Sequence, residues 1–192
     1  MVHWTFMATE RLEPVRGAVI GTVRPPGSKS LTNRAFVAAG LAQGESLLIG
    51  CLASDDTRYM IDAWRKLGAW IEWPAHDIEG QPAVTARVVG TGGRLKPGPT
   101  ELFVGNAGTA MRFLTAVCTL GHGEYRLDGV ERMRERPMGD LLAALQSLGL
   151  DVESERGTGC PPIVVRAASR PGGHVLLSGS VSSQFLSALL LA

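Results

Sequence analysis

The sequence predicts an α/β (α+β) protein built from a repeated unit of about 75–80 residues. Gly27, Gly105 and Gly179 stand 78 and 74 residues apart, and each opens a turn that leads into a run rich in Ala and Leu. Two amphipathic stretches end at Gly68 and Gly149 and lead into strand-like runs, as expected for helices with a glycine cap. We therefore expect two full units and the start of a third.

The first turn, GSKSLTNR at residues 27–34, follows two prolines and carries Ser28 and Ser30 as possible N-caps of a helix. The first N–H groups of a helix lack internal partners and carry partial positive charge. Lys29 and Arg34 add two cations to that end, so the turn suits a phosphate or a carboxylate. One such helix start alone is most often an ordinary cap, but three in register favour anion binding.

The second turn, GNAGTAMR at residues 105–112, and the third, GSVSSQFL at residues 179–186, repeat this plan. Arg112 has the same offset in its turn as Arg34 has in the first. The candidate anion ligands are Lys29, Ser30, Arg34, Arg112, Arg136, Ser182, Ser183 and Gln184. This much basic capacity suits one or two ligands that together carry a phosphate and a carboxylate, because arginine binds both groups through planar forks.

Hydrophobic periodicity predicts the remaining elements. We expect extended structure over residues 11–23, helices over about 31–43, from Ser54 and from near Ser182, and strands over 46–49, 69–73, 84–89, 102–104, 124–127 and 163–165. Asp55 and Asp56 follow Ser54, where carboxylates offset the helix dipole, so helix capping is the role we expect for them. The alternative is that one of them faces the anion site and orders its basic residues.

Three arginines, Arg132, Arg134 and Arg136, fall within five residues just before Pro137. A cluster of charges is usually a solvated face. In an extended segment, however, alternate side chains point the same way, so the three arginines would share a face. Arg136 lies nearest to the helix start that Pro137 predicts, and we expect it to clamp a ligand.

Composition limits the functional classes. A formal charge of +1 and 45% hydrophobic residues fit a globular protein and argue against a general nucleic-acid binder. No run reaches the length of a membrane span, and the first ten residues do not read as a signal peptide. Cys51, Cys118 and Cys160 are widely spaced and odd in number, so we expect reduced thiols in the cytoplasm. The scattered histidines predict no metal site.

Four motifs, taken in order, resemble the 5-enolpyruvylshikimate-3-phosphate synthase family, and the resemblance runs from about residue 12 to residue 192. The motifs are PGSKSLTNR, GNAGTAMR, RMRERP and GSVSSQF. The sister family that acts on UDP-N-acetylglucosamine shares the repeat plan, but the PGSKS and VSSQF forms fit the shikimate family better. The resemblance implies an α/β prism of βαβαββ units in two globular halves. Residues 24–192 would form the N-terminal half, and residues 1–23 would lie with the other half.

The reaction that the resemblance implies joins phosphoenolpyruvate to the 5-hydroxyl of shikimate 3-phosphate. It passes through a tetrahedral intermediate and releases phosphate, with no metal or organic cofactor. The family's further acid and base carboxylates lie beyond residue 192, and the chain stops inside the apolar run at residues 187–192. We therefore expect the missing C-terminal half as a partner and an inactive isolated chain. A non-catalytic anion-binding module on the same scaffold is the alternative.

The resemblance also assigns roles to residues of the first two turns and of the arginine cluster. Lys29 resembles the lysine that touches both substrates, and Ser30 and Arg34 match groups that hold shikimate 3-phosphate. Gly108 lies where the backbone runs close to phosphoenolpyruvate, and Arg136 matches a clamp for that substrate. Lys29 and Arg136 are therefore the expected catalytic residues.

In the third turn, Ser182 and Ser183 match phosphate ligands of shikimate 3-phosphate, and Gln184 matches a residue that reaches the substrates. Arg112 fits the family pattern without a definite role. The family often has proline after this arginine, where the present chain has Phe113. A larger side chain behind the glycine of the second turn can shift that turn, so sensitivity to glyphosate, which competes for the phosphoenolpyruvate site, stays open.

Overall fold

The computed structural model describes residues 13–23, 25–73, 84–168, 172–177 and 182–192. The elements in chain order are α1 (Lys29–Leu41), β1 (Glu45–Cys51), α2 (Asp55–Lys66), β2 (Trp70–Glu72), β3 (Val84–Val89), β4 (Thr100–Phe103), α3 (Gly108–Cys118), β5 (Gly123–Asp128), a 3-10 helix (Glu131–Glu135), α4 (Gly139–Ser147), β6 (Asp151–Ser154), β7 (Ile163–Ala167) and α5 (Ser183–Leu191). Within the described ranges, no helix combines the length and the apolar character that a membrane crossing requires.

The strands form two sheets whose topology repeats. The first has the order β1-β3-β2 and the second the order β4-β5-β7-β6. In each sheet the last strand of the unit, β3 or β7, pairs antiparallel with the two strands before it, and β4 adds a parallel strand at the edge of β5. The order helix–strand–helix–strand–strand therefore occurs twice, as the spacing of the glycines predicts, and α5 follows the second occurrence. The predicted α/β class is confirmed.

Each sheet turns one face to the helices. In β3, Val84, Ala86 and Val88 are buried while the residues between them are exposed. This two-residue period is typical of a sheet that has one face on the core and the other in solvent. The prediction for residues 84–89 is confirmed in full, because a clean alternation of apolar and polar residues leaves little choice of structure.

Helix α3 lies at the centre of the core. Every one of its residues is buried except Arg112, and it packs against α1, α2 and α5. A helix that is apolar on nearly all sides needs neighbours on all sides. Helices α1 and α2 also approach closely, since a Cβ atom at Gly40 would lie 2.5 Å from the ring of Trp64. This helical layer fixes where the N-terminal turns of α1, α3 and α5 can lie.

Two local predictions need correction. Helix α1 ends at Leu41 rather than near residue 43, because the backbone of Ala42 is already extended. Gly44, whose φ of +89° does not suit a helix, follows two residues later. Residues 13–23 form no strand, and Val15 and Ile20 are exposed; residues 11 and 12 lie outside the described part. Whether residues 1–23 belong with another half of the protein stays a prediction.

The condition under which the three arginines would share a face, an extended segment, is not met. Glu131–Glu135 is a 3-10 helix, in which the N–H of Met133 bonds to the oxygen of Val130 at 2.8 Å. The side chain of Met133 is fully buried, and a helical turn is what brings it into the core while the charged neighbours stay outside. Helix α4 begins at Gly139, two residues after Pro137. Only Arg136, which follows the 3-10 helix, has an extended backbone.

Candidate active site

The first turn builds an open helix N-terminus. Ser28 is the N-cap of α1, with its hydroxyl accepting from the N–H of Leu31 at 3.4 Å, and the first turn of the helix has no acidic residue. The N–H groups of Lys29 and Ser30 precede the first internal hydrogen bond, which runs from Thr32 to Ser28. The positive end of α1 is therefore left without a carboxylate of its own.

The side chain of Lys29 is held by the neighbouring helix. Its Nζ lies 3.0 Å from Oδ2 of Asp56, the second residue of α2. Ser54 already caps α2, since its hydroxyl accepts from the N–H of Thr57 at 3.3 Å, and Asp55 lies 3.5 Å from Arg58. Asp56 therefore contacts a residue of another helix as well as lying in the first turn of α2. This contact favours the alternative in which one of the two acids orders the basic residues.

Arg34 joins three helices. Its Nη1 donates to the backbone oxygen of Ser30 at 3.1 Å and also to the hydroxyl of that serine, while its Nη2 donates to the hydroxyl of Ser187 on α5 at 3.1 Å. The guanidinium also lies over the ring of Phe113 on α3, with 5.2 Å between its carbon and the ring centroid. Contacts from α1, α3 and α5 therefore fix the position of this one cation.

The second turn brings an arginine against a helix N-terminus. Helix α3 has Ala107 as its N-cap, no side chain that caps it and no acid in its first turn. A Cβ atom on Gly108 would lie 2.6 Å from Nη1 of Arg136, so only glycine allows the guanidinium to come this close. Two positive groups thus meet at one point, and an anion between them would relieve their repulsion.

Arg112 extends this positive region. Burial lowers the pKa of its guanidinium from the ordinary value, and the charge of Arg136 lowers it further. Arg112 donates from Nη1 to Oε1 of Gln184 and lies over the ring of Phe185, 5.0 Å from the centroid. The side chain is therefore fixed by α5 in the way that α3 and α5 fix Arg34.

The third turn is described only in part. Residues 178–181, which include Gly179, lie outside the described residues. Ser182 is the N-cap of α5, and its hydroxyl accepts from the N–H of Gln184 at 3.2 Å. Ser183 is the first residue of α5, and its backbone oxygen accepts from the hydroxyl of Ser187 at 3.0 Å. The predicted helix start near Ser182 is confirmed.

A buried carboxylate joins the loops that carry Gly108 and Arg136. Asp128, at the end of β5, accepts from Nε and Nη2 of Arg134 at 2.9 and 2.7 Å and from the N–H of Gly129 at 2.8 Å. Burial raises the pKa of this carboxyl, but the bonds from Arg134 and Gly129, together with the charges of Arg134 and Arg126, outweigh burial and hold the pKa below its ordinary value. The 3-10 helix that precedes Arg136 is therefore anchored by charge.

Backbone bonds tie the same two loops together. The N–H of Val104 donates to the oxygen of Asp128 at 2.9 Å, and the N–H of Val130 donates to the oxygen of Gly105 at 3.1 Å. The turn before α3 and the turn after β5 are thus one unit, and a shift of either loop would move both Gly108 and Arg136.

Comparison with known proteins agrees with this geometry. A sequence model described as EPSP synthase (3-phosphoshikimate 1-carboxyvinyltransferase) matches residues 15–192. The chain belongs to the EPSP synthase family. Two relatives named 3-phosphoshikimate 1-carboxyvinyltransferase, from Rhizobium etli and, as a chloroplastic protein, from Solanum lycopersicum, are 51% and 48% identical over 172 and 189 residues. These matches cover 89% and 94% of the present chain but 39% and 35% of the relatives.

The fold comparison gives the same result. The solved structure of EPSP synthase from Acinetobacter baumannii matches with a TM-score of 0.77 and 25% identity, over 89% of the present chain and 38% of that protein. The chain therefore corresponds to well under half the length of the EPSP synthases that it resembles.

The fold brings several of the predicted ligands into contact in pairs. Ser30 touches Arg34, Gln184 touches Arg112, and Arg136 lies against Gly108. Lys29 lies beside Ser30 in the first turn of α1, and its ammonium group contacts Asp56. Ser182 is the N-cap of α5 and Ser183 is its first residue, so both lie at the N-terminus of that helix.

Four residues with clear contacts at this candidate site were not predicted as functional: Asp128, Arg134, Phe185 and Ser187. An acid directly before glycine at a strand end, followed by an arginine-rich segment, is a usable signal for Asp128. Neither that pattern nor the apolar run of α5 reveals which arginine each residue meets, because those contacts depend on the fold.

Two of the three thiols, those of Cys51 and Cys118, are buried and poorly suited to nucleophilic chemistry. The three cysteines are free, and burial raises the pKa of Cys51 to about 11 and also raises the pKa of Cys118. Within the described ranges, no group of three His, Cys, Asp or Glu side chains is arranged to hold a metal ion.

Proposed function

We propose that the chain forms the N-terminal substrate-binding half of a 3-phosphoshikimate 1-carboxyvinyltransferase. This enzyme would transfer the enolpyruvyl group of phosphoenolpyruvate to the 5-hydroxyl of shikimate 3-phosphate and release phosphate. The observation that carries the proposal is the convergence of cations on helix N-termini that lack acids of their own. The membership in the EPSP synthase family, established above, supplies the reaction.

The Gly108 turn suits phosphoenolpyruvate. That substrate carries a phosphate and a carboxylate, and both groups bind well to backbone N–H groups and to guanidinium forks. The guanidinium of Arg136 already lies against the glycine, and Arg112 adds a second positive charge beside it. We assign Arg136 as the clamp for phosphoenolpyruvate and leave Arg112 as a neighbouring positive group.

The turns of α1 and α5 suit shikimate 3-phosphate. Arg34 is held between Ser30 and Ser187, so it presents a fixed cation at the junction of these helices. Ser182 and Ser183 place hydroxyl groups at the positive end of α5, where a phosphate is stabilised. Ser30, Arg34, the two serines and the amide of Gln184 are accordingly the proposed ligands of this substrate.

Lys29 is the proposed catalytic group between the two substrates. A proton must leave the 5-hydroxyl and another must reach the methylene carbon of phosphoenolpyruvate, and groups within hydrogen-bond reach must move both. Asp56 holds the ammonium of Lys29 at the mouth of the first turn, 3.0 Å away, so Asp56 acts as a positioning residue.

The proposed enzyme also needs the part of the relatives that the chain does not span. One wall of a cleft cannot exclude water or align two substrates, and such alignment supplies several kcal/mol of barrier lowering. On α5, Leu186 and Leu190 are exposed, and apolar side chains of this size favour contact with another surface. A C-terminal half is therefore the proposed partner.

Calorimetry and phosphate release test the proposal. The 192-residue chain should bind shikimate 3-phosphate without turnover, and it should release phosphate from both substrates once mixed with the C-terminal part of the Rhizobium etli relative. Arg34→Ala should weaken binding of shikimate 3-phosphate, whereas Arg87→Ala, which removes an exposed ion pair with Glu45, serves as the matched control. Turnover with UDP-N-acetylglucosamine instead, or turnover by the chain alone, would overturn the assignment.

A further inference from the structure

Phe113 directly follows Arg112 in α3, and its side chain has a defined contact. The ring is fully buried in α3, and the guanidinium carbon of Arg34 lies 5.2 Å from its centroid. A cation placed over an aromatic face within about 6 Å is attracted by the ring quadrupole. The ring therefore supports the cation that we assign to shikimate 3-phosphate.

The surrounding contacts show what the ring adds. Hydrogen bonds to Ser30 and Ser187 fix the direction of Arg34 within the plane of its guanidinium. The buried ring of Phe113 limits the movement of the guanidinium on that side, because a close-packed side chain has little freedom to move. Among the described residues, these bonds use both N–H groups of Nη1 and one of Nη2, and they leave Nε–H and the second N–H of Nη2 as donors for oxygens of a bound anion.

We infer that Phe113 is a positioning residue for Arg34 and so sets the affinity for shikimate 3-phosphate. The inference rests on the proposed function. It differs from the expectation that the larger side chain acts through the turn at Gly108, because the close neighbour of Gly108 is Arg136. Phosphoenolpyruvate affinity should therefore respond little to the loss of the ring.

The test compares two buried phenylalanines. Phe113→Leu removes the ring beneath Arg34, and Phe36→Leu makes the same change at a fully buried ring of α1 that packs against Trp73, with 5.9 Å between centroids. Calorimetry on the 192-residue chain should show shikimate 3-phosphate binding weakened roughly tenfold by Phe113→Leu and unchanged by Phe36→Leu. Thermal unfolding of both variants reports their losses of packing, which we expect to be similar.

A double-mutant cycle separates positioning from general packing. If the ring acts through the guanidinium, Phe113→Leu should cause no further loss of affinity once Arg34 is replaced by alanine. Phe113→Met, which keeps an apolar side chain without a ring, takes the place of the leucine variant if that variant does not fold. Its expected effect on binding is the same.

The outcomes are distinct. If the unchanged chain does not bind shikimate 3-phosphate, the proposed function fails. If it binds and the variants at Phe113 bind equally well, the inference about Phe113 fails while the proposed function stands. Equal weakening in the Arg34→Ala background, or a loss confined to phosphoenolpyruvate in the mixture with the C-terminal part, would also overturn the inference.

Discussion

Replacing Asp128 by asparagine removes a negative charge that accepts two bonds from Arg134, one from Gly129 and a longer one of 3.4 Å from Arg126. The amide keeps one acceptor oxygen, but its NH2 group faces a donor of the guanidinium. Breaking a fully buried ion pair costs about 3–5 kcal/mol. The side chain of Asp128 is 11% exposed and that of Arg134 35%, so water partly solvates the arginine that is left behind. We therefore expect a loss of about 2 kcal/mol in the free energy of unfolding.

Urea unfolding of the 192-residue chain measures this loss, and a change of that size should lower Tm by roughly 4–8 °C. Glu153→Gln is the matched control, because it breaks a hydrogen-bonded pair with Arg166 in which both side chains are nearly half exposed. That variant should change the free energy by no more than about 0.5 kcal/mol. Equal losses in the two variants would contradict the argument from burial.

The pH dependence gives a second test at Asp128. Its pKa is lowered in the folded chain, so the folded carboxyl binds fewer protons than the unfolded one as acid is added. The stabilisation is fully present above the unfolded pKa, which is about 3.9 for aspartate, and it is lost as the pH falls through the folded pKa. The difference in stability between the unchanged chain and Asp128→Asn should therefore be constant near neutral pH and shrink below about pH 4. A difference that grows in acid would refute the assignment.

Three further outcomes concern the site in the reconstituted enzyme. Lys29→Met should lower kcat at least tenfold with little loss of Tm, since charge-assisted contacts are worth about 1.5–3 kcal/mol. The control variant Lys66→Met, which removes an exposed hydrogen bond to a backbone oxygen, should keep full activity. Gly108→Ala should raise KM for phosphoenolpyruvate more than KM for shikimate 3-phosphate, because the methyl group displaces Arg136; equal effects would indicate misfolding. Asp56→Asn should lower kcat without changing Tm by more than a few degrees, and unchanged kcat would remove Asp56 from the site.

Local patterns in the sequence predict much of the fold. Strand β3 follows from the alternation of apolar and polar residues over 84–88. The ends of α2 and α4 follow from Gly68 and Gly149, whose φ values of +107° and +80° are those of glycine caps. The position of Ser54 before two acids likewise predicts the start of α2. Each of these features depends on residues within one or two turns, which is the range over which a sequence pattern carries direct information.

The arginine cluster shows where local reasoning fails. An extended segment would place the three arginines on one face, yet residues 131–135 form a 3-10 helix in which Met133 is buried and Arg134 pairs with Asp128. The acid lies six residues earlier, across a turn, so only the folded backbone brings it to the arginine. The same holds for Asp56 and Lys29, which are 27 residues apart in the chain and 3.0 Å apart in space.

The contacts that pack the third helix also build the site. Arg34 reaches α5 through Ser187, and Arg112 reaches it through Gln184 and the ring of Phe185. Helix α5 therefore cannot leave the core without releasing both arginines, and a bound anion that holds the arginines also stabilises α5. Ligand binding and packing of α5 are thus thermodynamically linked. The proposed ligand, shikimate 3-phosphate, should therefore raise the free energy of unfolding by RT ln(1 + [L]/Kd), that is, with the logarithm of its concentration relative to its Kd.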